Sequence, residues 1–509
     1  MPTPTYLPSP IDSDRIEIPR AVVDKDYRRT ISPGLFEFIS TCEKNGVRTE
    51  DRYLNAFQPL EQCEALLRSE EHSGAFRTKS AGVIRHASNY VSAHAKGEDR
   101  RSVSGVSIEQ LGPAVKAVAE RHTGETWWAR WADLQEGSEE KDLLFFTVID
   151  GHLGAEACDL LEVAANACLA WTIGNDSKAL GGDEQAMKEA LSDAILTLNQ
   201  DISAAPLGIL HKPATAPTDA QLPGMPSVAQ LISGHLEHGG ACIATAVVDL
   251  KHGKLYVVNA GDCRVIGVWK KEEEDQWFSA VLTEDHNGFN PGEVARIKAE
   301  HPNQPDVMID TGRGFHQLLG LGQVTHCVGD PAINRTEEER KALLKGAMTR
   351  SAYRPGFPAV DPPYVSWRPD VVIRDMKNGK TGAELKFIIL GSDGVFEKMT
   401  SEESALLTIA HAAHPHHDDV PKVKLPKLFD LAPPREPRPF PAEPLPGSRE
   451  GDMAKGDWVF EDENPAIHLI RNALGNGDRD LLHQMLSLKH GTRMFRDDTT
   501  AMVVSFGRD

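Results

Sequence analysis

Four apolar, largely β-branched runs each lie close to an aspartate, and this repeated arrangement restricts the fold more than any other feature of the chain. Residues 143–149 lead into Asp150-Gly151-His152, and residues 386–390 lead into Ser392-Asp393-Gly394. Residues 501–506 follow Arg496-Asp497-Asp498, and residues 242–248 open a segment that reaches Gly261-Asp262-Cys263-Arg264. Each run has the length and residue types of a buried strand. An acid at the end of a buried strand sits at the rim of the core, so strands far apart in the chain can bring their carboxylates together. A fifth acidic stretch, Gly97-Glu98-Asp99-Arg100, completes the set.

From about residue 80, strands and helices alternate. Two amphipathic helices follow Asp150-Gly151-His152. The first carries Leu160, Leu161, Ala164 and Cys168 on its apolar side, and the second carries Met187, Leu191, Ala194, Ile195, Leu198 and Ile202. Residues 242–249 and 254–259 flank a turn at Lys251-His252-Gly253 and read as an antiparallel hairpin. Pro206, Pro213, Pro217, Pro223 and Pro226 predict a loop over about 203–238. A stretch rich in proline and charge predicts a second loop over about 414–462. Residues 1–78 carry none of the acidic motifs and read as an N-terminal extension to a domain spanning 79–509.

The chain has 75 acidic and 55 basic residues, a net charge of −20 that repels nucleic acid and anionic lipid. Its cysteines, odd in number and without a CxxC pair, suit reduced thiols inside a cell and offer no structural zinc motif. No apolar run approaches the roughly 20 residues of a bilayer span. Near the N-terminus Arg15, Arg20 and Lys25 alternate with Asp12, Asp14 and Glu17, unlike an acid-poor transit peptide.

Clustered aspartates suit Mg²⁺ or Mn²⁺, hard ions that prefer oxygen ligands, whereas zinc more often recruits His or Cys. Two such ions sharing a carboxylate can acidify a water and clamp a phosphoryl group. A single Asp-Gly pair is an ordinary turn. The order and strand context of all five stretches carry the signal.

The strings FFTVIDGHLGAEA, CIATAVVDLKHGKLYVVNAGDCRVIGV, LTEDHNGFNPGEVARI, FIILGSDGVFEKM and RDDTTAMVVSF occur in this order. Through them residues 80–509 resemble the metal-dependent protein serine/threonine phosphatases of the PPM, or type 2C, family. SNYVSAHAKGEDRRSV, DPPYVSWRPDV and NPAIHLIRNALGNGDRDLLHQMLSL place the resemblance nearest the pyruvate dehydrogenase phosphatase branch. Asp498, where the wider family usually has Asn, agrees with that branch.

The resemblance implies an α+β fold, a four-layer α-β-β-α sandwich of two antiparallel sheets flanked by helices. It also implies two Mg²⁺ or Mn²⁺ ions, a weaker third ion, and hydrolysis of phosphoserine or phosphothreonine on a protein by a metal-activated water. Asp150 would bridge the ions, Gly151 would lend its carbonyl, and Asp393 and Asp497 would complete one shell. Asp99 and Glu98 would hold metal waters, Asp262 would serve the third ion, and His152 would protonate the leaving oxygen. The wider family grips phosphate with an Arg four residues before the first acidic pair. His94 stands there in this chain, as the branch also lacks that Arg, and Arg100 and Arg101 are the neighbouring cations.

The branch implies the pyruvate dehydrogenase complex as substrate and a mitochondrial location. The alternatives are another phosphoprotein, a pseudophosphatase binding module, and a cytoplasmic location, since no clear transit peptide is present. Two local departures stand out. Glu397 occupies a position where the family often has Asp, and residues 314–330, GFHQLLGLGQVTHCVGD, keep only Gly329-Asp330 of an Arg-Ala-Leu-Gly-Asp-like ending. His411, His414, His416 and His417 read as a solvated loop, residues 270–275 as an exposed hairpin tip, and Cys263 as a small buried residue.

Overall fold

The computed structural model describes residues 60–78, 80–93, 97–121, 141–210, 235–336, 338–339, 361–413, 418–432, 456–487 and 496–507. In chain order the main strands are β1 (His72–Thr78), β2 (Gly82–Val91), β3 (Arg100–Val106), β4 (Leu143–His152), β5 (Gly240–Asp249), β6 (Lys254–Ala260) and β7 (Arg264–Lys271). They continue as β8 (Gln276–Val281), β9 (Val328–Gly329), β10 (Asp370–Asp375), β11 (Glu384–Gly391), β12 (Asp430–Ala432) and β13 (Thr499–Gly507). One sheet has 7 strands in the order β1-β2-β13-β11-β7-β8-β12; the other has 6, ordered β10-β6-β5-β4-β3 with β9 pairing on β5. Their pairings are antiparallel except at β12, which joins β8 in parallel.

The apolar runs lack polar alternation because both faces of each strand are covered. In β5, Cys242, Ala244, Ala246 and Val248 face the other sheet and pack with Ile388, Leu390, Met502 and Val504. The intervening Ala241, Ile243 and Val247 pack outward with the helices. This is the period-2 alternation of a strand, with both sets apolar. Phe145 and Phe146, both fully buried, point to opposite faces of β4. Burying a side chain of this size contributes about 1.5–3 kcal/mol.

The main helices, in chain order, are α1 (Leu60–Arg68), α2 (Ile108–Arg121), α3 (Glu156–Asn175), α4 (Glu184–Leu210), α5 (Ser401–Ala413), α6 (Pro465–Gly475) and α7 (Arg479–Ser487). Helices α2, α3 and α4 cover the six-stranded sheet, while α1, α5, α6 and α7 cover the seven-stranded one. The result is a four-layer α-β-β-α sandwich. Helix α6 shows how local sequence sets an element: Asn464 caps the backbone N–H groups of Ala466 and Ile467, Pro465 occupies the first turn, and Asn476 ends the helix in a left-handed conformation. Helix α3 has the length and hydropathy of a membrane span, but 67% of its apolar window is buried inside the protein.

Several expectations change. The boundary at residue 78 falls inside the fold, because β1 pairs with β2 along its length and Cys63 and Leu67 of α1 are buried in the core. Short polar strands and a lone helix carry little sequence signal without their partners. Helix α4 runs through Pro206 to Leu210, beyond the expected loop start at 203; residues 211–234 lie outside the described residues. The stretch expected as a loop over 414–462 contains β12 at a sheet edge and the buried Asp462. Leu160, placed on the apolar side of its helix, is exposed, whereas Leu161 and Ala165 face the core. His411 is buried in α5 and its Nε2 lies 2.8 Å from the Asp462 carbonyl; His414, His416 and His417 are outside the described residues.

Candidate metal centre

The carboxylates converge where the two sheets meet at one edge. Asp150 lies near the end of β4 opposite Cys242 of β5, Asp262 lies in the turn between β6 and β7, Asp393 follows β11, and Asp497 precedes β13. Asp150, Asp262 and Asp393 each present a carboxylate oxygen within 4.8 Å of the others. Asp99, fully buried just before β3, and Asp497 stand beside this trio, and their charges act on Asp150.

Burial is the first cause holding Asp99, Asp150, Asp262 and Asp393 above the usual carboxylate range. For Asp99, Asp150 and Asp393 the charges of neighbouring acids add to it. Asp99 Oδ1 and Asp393 Oδ1 are buried with no hydrogen-bond partner among the described residues. Like charges packed without counter-charge or hydrogen bonds are costly, and a divalent cation removes that cost. The donors are all oxygen, so Asp99, Asp150, Asp393 and Asp497, with the Gly151 carbonyl, fit a hard ion such as Mg²⁺ or Mn²⁺.

Residues beyond the acids build the site. Asp498 gathers the loop before β3: its carboxylate accepts from the N–H of Ala93 (2.5 Å), Glu98 and Asp99 (3.3 Å) and from the Tyr90 hydroxyl (3.2 Å). Arg496 donates from the same side to the carbonyls of Ser92 (2.7 Å) and Met485 (3.0 Å). Asp99 Oδ2 accepts from Thr500 Oγ1 at 2.7 Å. Gly151 packs so tightly that a β-carbon there would come within 2.0 Å of Cys158 Sγ. Asp262 accepts from Cys242 Sγ and Asn287 Nδ2, both at 3.1 Å.

His152, at the end of β4, places Nε2 2.8 Å from Asp330 Oδ2. Burial opposes protonation of this imidazole, but the Asp330 charge and hydrogen bond outweigh it, and the pKa is raised. Glu98 Oε1 accepts from Gly154 N at 2.7 Å and ties the β3 loop to the turn after His152.

The expected phosphate-binding residues fare differently. Arg100 donates to the carbonyls of Gly97 and Asp99, each at 2.7 Å, and to Asp159 at 2.6 Å. Arg101 donates to the Glu70 carbonyl at 2.5 Å. Both therefore brace the loop and its surroundings. Asp159 and Glu70 lie far from these arginines in sequence. His94 lies outside the described residues. Asp330, Asp498 and Asn287 were not assigned roles from sequence; the retained Gly329-Asp330, the unusual Asp498 and the LTEDHN string were the available signals.

An acidic centre of this kind, at the edge of an α-β-β-α sandwich, suits a divalent cation. The chain belongs to the protein phosphatase 2C family, whose model matches residues 120–420. It is 30% identical over 383 residues to the mitochondrial [pyruvate dehydrogenase [acetyl-transferring]]-phosphatase 1 of Saccharomyces cerevisiae, covering 73% of this chain and 63% of that protein. Phosphatase 1 of the same name from Bos taurus is 30% identical over 63% of this chain and 55% of its own length. Human phosphatase 2 is 28% identical over 64% of this chain and 56% of its length. The matches thus span between about half and two thirds of these relatives.

Proposed function

We propose that the chain is a protein serine/threonine phosphatase that needs Mg²⁺ or Mn²⁺ and acts on the pyruvate dehydrogenase complex. The convergence of Asp150, Asp262 and Asp393, with Asp99 and Asp497 beside them and His152 adjacent, carries the reading. Asp150, the Gly151 carbonyl, Asp393 and Asp497 would hold the ions, and Asp99 and Glu98 would hold their waters. Asp262, with Asp393, would serve a weaker third ion. When bound, such ions lower the pKa of water and offset charge on a transferring phosphoryl group.

The chain's own residues supply the rest. His152 gives a proton to the departing serine or threonine oxygen, a contribution of about 10²–10⁴ in rate. Asp330 orients that imidazole and favours its charged form. Asp498 positions the Glu98-Asp99 backbone, and Arg496 holds the Ser92 carbonyl. A pseudophosphatase binding module would gain nothing from mutually repelling buried acids, which disfavours that alternative.

The substrate and a mitochondrial location rest on the names of the relatives, both finer points than the chemistry. Hydrolysis of a phosphothreonine peptide by the full chain, with Mn²⁺ and then with chelator, tests the activity; hydrolysis unchanged by chelator rejects it. Comparing phosphorylated pyruvate dehydrogenase with unrelated phosphoproteins tests the substrate. Equal rates on all of them reject the preference, and a tagged chain found wholly outside mitochondria rejects the location.

A further inference from the structure

Beside the carboxylate cluster lies a second group with different donor chemistry. One ligand atom each from His152, Cys327 and Asp330 falls within 4.8 Å of the others. Cys327 is fully buried and Asp330 is 4% exposed, while His152 is only partly covered and leaves a side open to solvent. Asp330 Oδ1 has no hydrogen-bond partner among the described residues. Cys327 Sγ is 3.6 Å from Asp330 Oδ2.

The sheet presents the three together. His152 stands opposite Gly240, and Gly329 pairs with Gly240 from the other side, so the ends of β4, β5 and β9 share one register. Asp330 then turns into a left-handed conformation, φ 49°. A β-carbon on Gly240 would lie 2.9 Å from His152 Nε2 and 3.0 Å from Asp330 Oδ1, so glycine keeps the space between them open.

We propose that His152, Cys327 and Asp330 form a separate site for zinc or a similar borderline-soft cation. Nitrogen, sulfur and carboxylate oxygen from three residues, with a fourth position facing solvent, match the ligands zinc prefers. Mg²⁺ and Mn²⁺ favour oxygen, so the two neighbouring groups sort cations by softness. Binding forms sulfur–metal and nitrogen–metal bonds and releases to solvent both the Cys327 thiol proton and the proton that His152 Nε2 shares with Asp330. Cys327 lies in the 314–330 segment, where this chain departs from its family pattern. The functional consequence rests on the phosphatase reading: a zinc ion on His152 takes up the nitrogen that faces Asp330 and inhibits hydrolysis without displacing Mn²⁺.

The test uses the full chain saturated with Mg²⁺ and titrated with Co²⁺ as an optical probe for the zinc position. We expect a thiolate-to-cobalt charge-transfer band in the near ultraviolet, erased by added Zn²⁺. Cys327→Ala should abolish the band, and Asp330→Asn should weaken cobalt binding by about 10- to 100-fold. Asp150→Asn should keep the band. A wild-type chain with no sulfur band at saturating Co²⁺ overturns the site, as does Cys327→Ala binding zinc as tightly as wild type. The wild-type measurement decides the matter even if a variant fails to fold. Because the band does not depend on turnover, a chain that shows it without hydrolysing phosphopeptide supports the site and rejects the phosphatase reading alone.

Discussion

The metal centre and the cluster around Arg471 both bury charge, but they balance it in opposite ways. At Arg471 the guanidinium donates to Asp462 at 2.7 and 3.0 Å and to Glu64 at 2.8 Å twice, and Arg68 adds a further bond to Asp462 at 2.5 Å. The cluster joins α1 to α6 and is complete without any ligand. At the metal centre the acids have one another for neighbours, and burial with mutual repulsion pushes Asp150 and Asp393 well above their ordinary range. Buried charges with an opposite partner hold parts of the fold together, whereas like charges crowded at one edge suit a cation.

The largest expected effect breaks the comparison at its acidic side. Asp150→Asn should lower Mn²⁺-dependent hydrolysis by about 10³-fold or more, since an anionic ligand of the proposed ions is lost. In chelator the same variant should melt no lower than wild type, because a repelling charge has been removed. A melting temperature well below wild type in chelator would mean that the acids stabilise the fold without metal.

Arg471→Met tests the other side and should give the reverse pattern. It leaves Asp462 and Glu64 without their shared cation and should destabilise the chain by about 3–5 kcal/mol in denaturant unfolding. Hydrolysis per folded molecule should stay near wild type.

Asp498→Ala sharpens the contrast, because Asp498 is an acid whose partners are backbone N–H groups and the Tyr90 hydroxyl. Losing a group that orients metal-holding residues should cost about 10- to 100-fold in metal affinity or activity. Asp498→Asn should recover much of that loss, since the amide oxygen can still accept. Metal titration of the two variants checks this.

The smallest effect concerns a buried group that needs neither metal nor counter-ion. Burial, and then His72, depress the His86 pKa to about 4. The fold therefore prefers the neutral ring, while the unfolded chain takes up a proton near pH 6.5. This contribution is present above about pH 6.5 and is lost as pH falls towards about 4, by roughly 1–3 kcal/mol. His86→Phe, placed among Phe76 and Phe146, should flatten that part of the stability profile. An unchanged profile in acid unfolding would exclude His86 as its source.

The strands were legible because burial on both faces requires continuous apolar runs, and the acids because they stand at the ends of those runs. Partners were less legible. Asp330 meets His152 across 178 positions, and Asp498 reaches the Glu98 N–H across 400. The partners of Arg100 and Arg101, Asp159 and the Glu70 carbonyl, are distant in sequence and carry no motif. Residues 60–78 looked like an extension because β1 alternates and gains its meaning only on pairing with β2.

The sequence alone determined which strands are buried, which acids lie at their ends, and the family to which the chain belongs, because hydrophobic period and motif order are local properties. Only the tertiary structure decided which acids come within 4.8 Å, which arginines are already engaged, and that Cys327 and Asp330 flank His152. Those outcomes depend on sheet register and the crossing of two sheets, which place residues hundreds of positions apart within a few ångströms.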